Sequence, residues 1–273
     1  MTIVVLWYGE KSDELRCAAD TRISRGASTA TDNGPKILPV PVLCHGHVHG
    51  QDWRPYNSNS FGFAFSGSTL AAISTHALAT ACTQNLAATR GAEKPISVEG
   101  VAKLFQVIGN HYIVDMSSRL GATDSQSTYF FEGMIFGFCP IANRYKAFSI
   151  APSLESGTFQ MQFAEIPIVP DLCYAIGSGT AGFLKLNEEL SKSHPDPGVM
   201  TTLAEMVRRE VQPDVGGHLQ IGICTRTGFS AHPFINLGDG PGKRFLSFLG
   251  WDVSSATEAL DGFRIGYRAV STF

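Results

Sequence analysis

A threonine stands directly behind Met1, and the apolar run Ile3–Tyr8 follows it at once in "MTIVVLWYGE". A threonine that becomes the chain's first residue carries its own base, because its α-amino group lies beside its hydroxyl. An α-amine has a pKa of about 7.7–8.0 and takes up a proton at neutral pH, where a lysine at about 10.4 does so poorly. The chemistry this permits is attack of the hydroxyl on an acyl carbon. It needs a cation to favour the alkoxide, a carboxylate to hold that cation, and an amide donor for the oxyanion. Asp20 ends the run "CAAD", Lys36 opens "KILPV", and Gly67 sits in "FSGST", where a strand turns into a helix. Removal of Met1 is the condition on which all of this depends.

Other motifs are weaker. "GSGTAG" (Gly177–Gly182) matches a dinucleotide fingerprint, but a loop and a further helix follow it instead of a strand ending in an acid. "GDGPGKR" has Leu237 where a phosphate loop needs its first glycine, and Arg244 where it needs Ser or Thr. His45, His47 and His49 in "HGHVH" would share one face of a strand, yet the segment reads as a loop, so they are taken as solvated. No metal and no cofactor is expected.

The elements that must position these residues follow from periodicity. "TIVVLWY" and "ELRCAADTRIS" read as strands joined by the turn "GEKSD". "PKILPVPVL" is a proline-interrupted strand at an edge or bend, "HGHVHGQDWRPYNSNS" (45–60) a loop, and "FGFAFSG" a strand. Two helices follow, one capped by Ser68, the other with Val98, Val101, Leu104, Phe105 and Ile108 at helical spacing. Residues 128–152 form a hairpin about "ANR". More strand comes next, then a second helix pair around "HPDPG", and then the strands of "GGHLQIGICTRTGF". Blocks of strands and helix pairs without regular alternation predict an α+β chain built as a four-layer αββα sandwich. In it, two antiparallel sheets are flanked by helix pairs. One domain is expected over 1–273, with 229–273 an unassigned C-terminal extension of it.

Composition bounds the partners. The chain has 273 residues, net charge −3, and only 16% charged against 44% hydrophobic residues. No Lys/Arg cluster offers a nucleic-acid or anionic-membrane surface. No apolar run approaches the ~20 residues of a membrane span, and no leader is evident. A cytoplasmic chain with six reduced, scattered cysteines is expected. The low charge fits a strand-rich chain, and also a surface partly covered by other subunits.

The ordered set "TIVVLWY", "CAADTRISRG", "PKIL", "FAFSGSTLAA", "YAIGSG" and "VGGHLQIGICTRTG" resembles the β-type subunits of proteasomes and their bacterial relatives, which are N-terminal threonine hydrolases. The resemblance runs from Thr2 to about Gly228. It implies Thr2 as nucleophile, Lys36 tuning its hydroxyl, Asp20 pairing with Lys36, and the Gly67 amide at the oxyanion. It also implies Ser178 bonded near the Thr2 amine, Ser24 and Gly67 pairing with an extended substrate backbone, and Phe65 shaping a shallow pocket for small side chains. The family carries an acid and a serine before the "GG" that follows the fourth helix; Gln212 and Val215 stand there in "VQPDVGG", and Asp214 is the substitute acid. The activity implied is cleavage of peptides or unfolded proteins inside a homo-oligomeric ring, with an ATPase partner left open. Two alternatives are a non-catalytic ring subunit and a small-molecule amide hydrolase of the same superfamily, its site covered by loop 45–60.

Overall fold

The computed structural model describes residues 2–25, 28–48, 51–88, 93–120, 129–155, 158–192, 198–237, 244–253 and 269–271. β1 (Val4–Gly9) and β2 (Glu14–Asp20) form a hairpin through a single 3-10 turn. β3 (Ile23–Arg25) and β4 (Ser28–Thr31) make a short ribbon, and β5 (Ile37–Val48) and β6 (Gln51–Gly67) a long hairpin. Helices α1 (Thr69–Thr83) and α2 (Val98–Leu120) flank the two-residue β7 (Leu86–Ala87). The meander β8 (Phe131–Cys139), β9 (Arg144–Glu155) and β10 (Thr158–Ile166) leads to β11 (Cys173–Ile176), α3 (Thr180–Ser191) and α4 (Val199–Arg208). β12 (Leu219–Thr225) and β13 (Gly228–His232) follow. The chain closes with β14 (Phe234–Leu237), β15 (Arg244–Phe248), β16 (Trp251–Asp252) and β17 (Val270–Ser271).

Alternation along the strands builds the core. In β6, Phe61, Phe63 and Phe65 face α1 and α2, where Ala71, Ala72, Val101 and Phe105 receive them. The residues between them are small, and Ala64 packs with Met134 and Phe136 against Val4, Leu6 and Cys17 of β1 and β2. Ile3, Val5 and Ala18 point the other way, onto Phe183, Leu186, Leu203 and Met206 of α3 and α4. The expected Ser68 cap is present, its Oγ accepting the Ala71 amide at 3.3 Å. The proline-bearing strand β5 lies next to the sheet margin, paired among the described residues with β6 and, at Cys44 and His45, with β7. There the carbonyls of Pro39 and Pro41 are taken by His76 Nε2 (2.8 Å) and Thr83 Oγ1 (2.7 Å) of α1.

The four-layer αββα sandwich is not what forms. The chain is mixed α/β with four sheets among the described residues, one curled into a half-barrel. They run β11-β1-β2-β12-β13, β10-β9-β8-β6-β5-β7, β16-β15-β14-β17 and β3-β4. Two pairings, β5–β7 and β14–β17, are parallel. The block order predicts which elements exist but not which strands pair. The long β5–β6 hairpin outruns its neighbours, since β6 meets β8 only over Gly62–Gly67, and a long ribbon twists out of a flat stack. The described residues of segment 45–60 (45–48 and 51–60) are therefore strand, not loop. Register shifts at Cys44/His45 and Gly46/Val48 hide its alternation. Its described polar side chains belong to a ribbon with a single β partner over most of that length.

All six cysteines are free, and Cys17, Cys44, Cys139 and Cys224 are buried. No helix among the described residues is long and apolar enough to cross a membrane.

Candidate active site

Thr2 lies at the mouth of β1 and is pinned by its main chain. Its carbonyl accepts the Gly179 amide at 3.1 Å, and the Ile3 amide donates to Asp20 Oδ1 at 3.1 Å. The approach of the Gly177 turn is close enough that a Cβ there would stand 2.2 Å from the Thr2 carbonyl oxygen. With φ at +100°, glycine meets both demands of that position.

The Thr2 hydroxyl donates to Asp20 Oδ1 and accepts from Lys36 Nζ. Lys36 Nζ also donates to Asp20 Oδ1 at 2.7 Å. Thr2, Asp20 and Lys36 are all buried. Burial pushes the Lys36 ammonium below its ordinary pKa, and the Asp20 charge and hydrogen bond pull it back up. The other carboxylate oxygen of Asp20 accepts the Arg22 and Gly216 amides at 3.2 and 3.0 Å. A buried cation bonded to a hydroxyl favours the alkoxide, and a carboxylate so fixed holds the cation in place.

Gln220 is a site residue that sequence reasoning missed. Fully buried on β12, it donates from Nε2 to the Asp20 carbonyl (2.8 Å) and the Gly34 carbonyl (3.2 Å). Its Oε1 accepts the Lys36 and Ile37 amides at 3.0 and 3.2 Å. One side chain thus ties the end of β2 to the start of β5, fixing Asp20 relative to Lys36. The signal was a lone amide among the apolar residues of "LQIGIC". Gln220→Leu leaves four backbone groups without this partner and is expected to cost about 2–3 kcal/mol. A urea midpoint unchanged from that of the parent protein would refute that bracing role.

Thr2, Ser24, Lys36, Phe65, Ser66 and Gly67 line one small cleft. The Phe65 amide donates to the Lys36 carbonyl at 3.1 Å, joining the cleft wall to the cation. Gly67 ends β6 at φ +97°, where a Cβ would meet the Phe130 carbonyl at 2.7 Å. Ser178, beside the glycines that hold Thr2, donates to Asp214 Oδ2 at 2.6 Å. Val215 is core, and Gln212 sits against Gly182. The acid displaced to position 214 thus meets Ser178.

The "GSGTAG" segment follows β11, which runs antiparallel to β1, so no βαβ unit surrounds it. His45 Nδ1 contacts the Leu86 carbonyl at 3.2 Å. The side chains of His47 and His49, and the "GDGPGK" stretch, lie outside the described residues. Among the described residues no His/Cys/Asp/Glu group is placed to hold a metal.

No protein-family model matches the chain, and no curated protein does. A solved structure does. The chain is similar in fold to Anbu (ancestral beta-subunit) from Yersinia bercovieri. The TM-score is 0.52 at 12% identity, over 85% of this chain and 87% of Anbu. At that identity the likeness is one of fold alone. It corrects the assignment to the β-type proteasome subunits drawn from the sequence. Neither a family model nor a curated subunit supports that membership, and the short stretches behind it amount to a shared ordering of strand ends and glycine turns.

Proposed function

We propose that the chain is an N-terminal threonine peptidase, active once Met1 is removed. The observation that carries it is the Thr2 hydroxyl held between Lys36 and Asp20 at the floor of a cleft walled by Ser24 and Gly67. Thr2 Oγ1 bonds to the peptide carbonyl carbon while the freed α-amine takes the hydroxyl proton. The Gly67 amide receives the oxyanion. The C–N bond breaks as the amine returns that proton to the leaving nitrogen. A water then attacks the ester through the same amine, releasing the acid and restoring the hydroxyl. Ser178, carried by the turn that holds Thr2 and bonded to Asp214, supports the amine. Ser24 and Gly67 pair with the extended substrate backbone.

The buried geometry also favours a peptide over a shielded small amide. Residues 45–60 belong to the far end of the hairpin whose near end carries Lys36 and Gly67. Ser60 is seven strand positions from Gly67, roughly 23 Å away at about 3.3 Å per residue. The described residues of that segment therefore lie away from the cleft.

Hydrolysis of fluorogenic peptides with small residues before the cut tests the proposal. Turnover that persists in Thr2→Ala would end it. Phe65 lines the cleft, so Phe65→Ala is expected to raise kcat/KM for peptides with leucine or phenylalanine before the cut relative to alanine. An unchanged ranking contradicts that placement. Gly67→Ala is expected to lower kcat by about 10²–10³-fold through displacement of the oxyanion donor. The pH profile should be a bell. Activity rises as the α-amine loses its proton, at about 7.7–8.0. It falls again when Lys36 deprotonates, below the 10.5 of a free lysine because burial favours the neutral form. In Lys36→Arg the alkaline limb should disappear; persistence of that limb would assign it to another group.

Assembly into a homo-oligomeric ring belongs to the same proposal. The low charge content supports it, as do exposed Val107 and Val114 on α2 and Leu70 on α1. Light scattering that finds a monomer at assay concentration would contradict it.

A further inference from the structure

A second cavity lies across the Gly177 turn from Thr2. It measures about 290 Å³ and is lined by Glu132, Ser149, Tyr174, Gly177 and Thr180, among others. The two spaces share a wall. A Cβ on Gly177 would lie 2.2 Å from the Thr2 carbonyl oxygen and 2.9 Å from Ser66 Oγ, and Ser66 lines the cleft. Strand alternation separates their faces: Phe65 points to the helices, whereas Ser66 points to the Gly177 side. Glu132 is the cross-strand partner of Ser66, so it stands on that same face. It is exposed and makes no ion pair with any described residue.

We infer that this cavity receives the residue on the amine side of the scissile bond and that Glu132 selects a basic side chain there. The inference rests on the proposed acylation of Thr2. The tetrahedral carbon has four substituents. One is Thr2 Oγ1, the second an oxyanion at Gly67, and the third the acyl chain running past Phe65 and Ser24. The fourth, the leaving nitrogen, departs away from the acyl chain, towards the Gly177 wall and the cavity behind it. A carboxylate that no described residue pairs with, at that cavity's rim, favours lysine or arginine over a neutral side chain and repels an acidic one.

The test uses peptides identical up to the cut and followed by Lys, Ala or Glu. Each rate is divided by that of the same acyl group on aminocoumarin, a neutral leaving group that carries no side chain. The native protein is expected to favour Lys over Ala by about fivefold, the scale of a solvent-exposed ion pair, and Ala over Glu. Glu132→Gln should bring the Lys/Ala ratio close to one, and Glu132→Lys should invert the Lys/Glu order. Thr2-dependent aminocoumarin release with no preference for Lys, or with a preference that survives in Glu132→Gln, overturns the inference and leaves the peptidase proposal standing. Absence of Thr2-dependent turnover on every substrate overturns both.

Discussion

Thr2→Ala, processed so that residue 2 is the first residue, is expected to lower peptide hydrolysis at least about 10⁴-fold while the protein stays folded. Loss of a nucleophile that acts together with its base removes almost all of the chemical acceleration. The fold survives because the remaining partners still satisfy one another. Lys36 Nζ keeps its 2.7 Å bond to Asp20, and Asp20 keeps its three backbone donors at Ile3, Arg22 and Gly216. The stability loss is that of one hydroxyl, about 1 kcal/mol. Thr2→Ser keeps the hydroxyl and should retain measurable activity. Paired thermal melts and peptide assays check both halves. A Thr2→Ala protein with native activity refutes the nucleophile, and one that fails to fold assigns Thr2 a structural role instead.

Asp20→Asn is expected to be the most destabilising single change in the site. The carboxylate is fully buried and accepts from Thr2, Lys36 and three amides. An asparagine has only one acceptor oxygen, turns an NH₂ towards groups that are themselves donors, and leaves Lys36 as an uncompensated buried cation. Removing one member of a buried pair costs about 3–5 kcal/mol, which for a chain of this size lowers the melting temperature by on the order of 10 °C. Lys36→Met, which leaves Asp20 its backbone donors, should cost less in stability yet abolish turnover. The double variant Asp20→Asn/Lys36→Met should lose less than the two single changes added together, because the stranded cation is gone. Strict additivity of the three melting shifts would show that the two groups are not energetically coupled.

These expectations also mark what the sequence made legible. Thr2, Asp20, Lys36 and Gly67 stand at strand ends, where a polar residue interrupts an apolar run, so chemistry and position could be read together. The structure brings all but Asp20 to the wall of one cleft, and Asp20 holds Thr2 and Lys36 from beneath. The Ser68 cap and the apolar stripe of α2 depend on local spacing and are present. Partnership between distant strands is a different matter. The described part of the polar 45–60 segment is strand because β5 and β6 pair across it, which no local pattern encodes. The stack of four layers failed for the same reason: strand blocks do not say how many sheets they make. Gln220 was missed because its importance lies in four backbone groups that lie far from it in sequence. Asp214 came from the resemblance, as a displaced acid, and the Ser178 contact gives it a partner.

The central claim is that Thr2 is a free, reactive N-terminus, and intact mass after treatment with a peptide β-lactone tests it most directly. The geometry predicts a chain lighter by one methionine that gains a single acyl adduct, mapped to Thr2 and absent in Thr2→Ala. A chain that retains Met1, or one that loses it and takes up no adduct at Thr2, would contradict the claim.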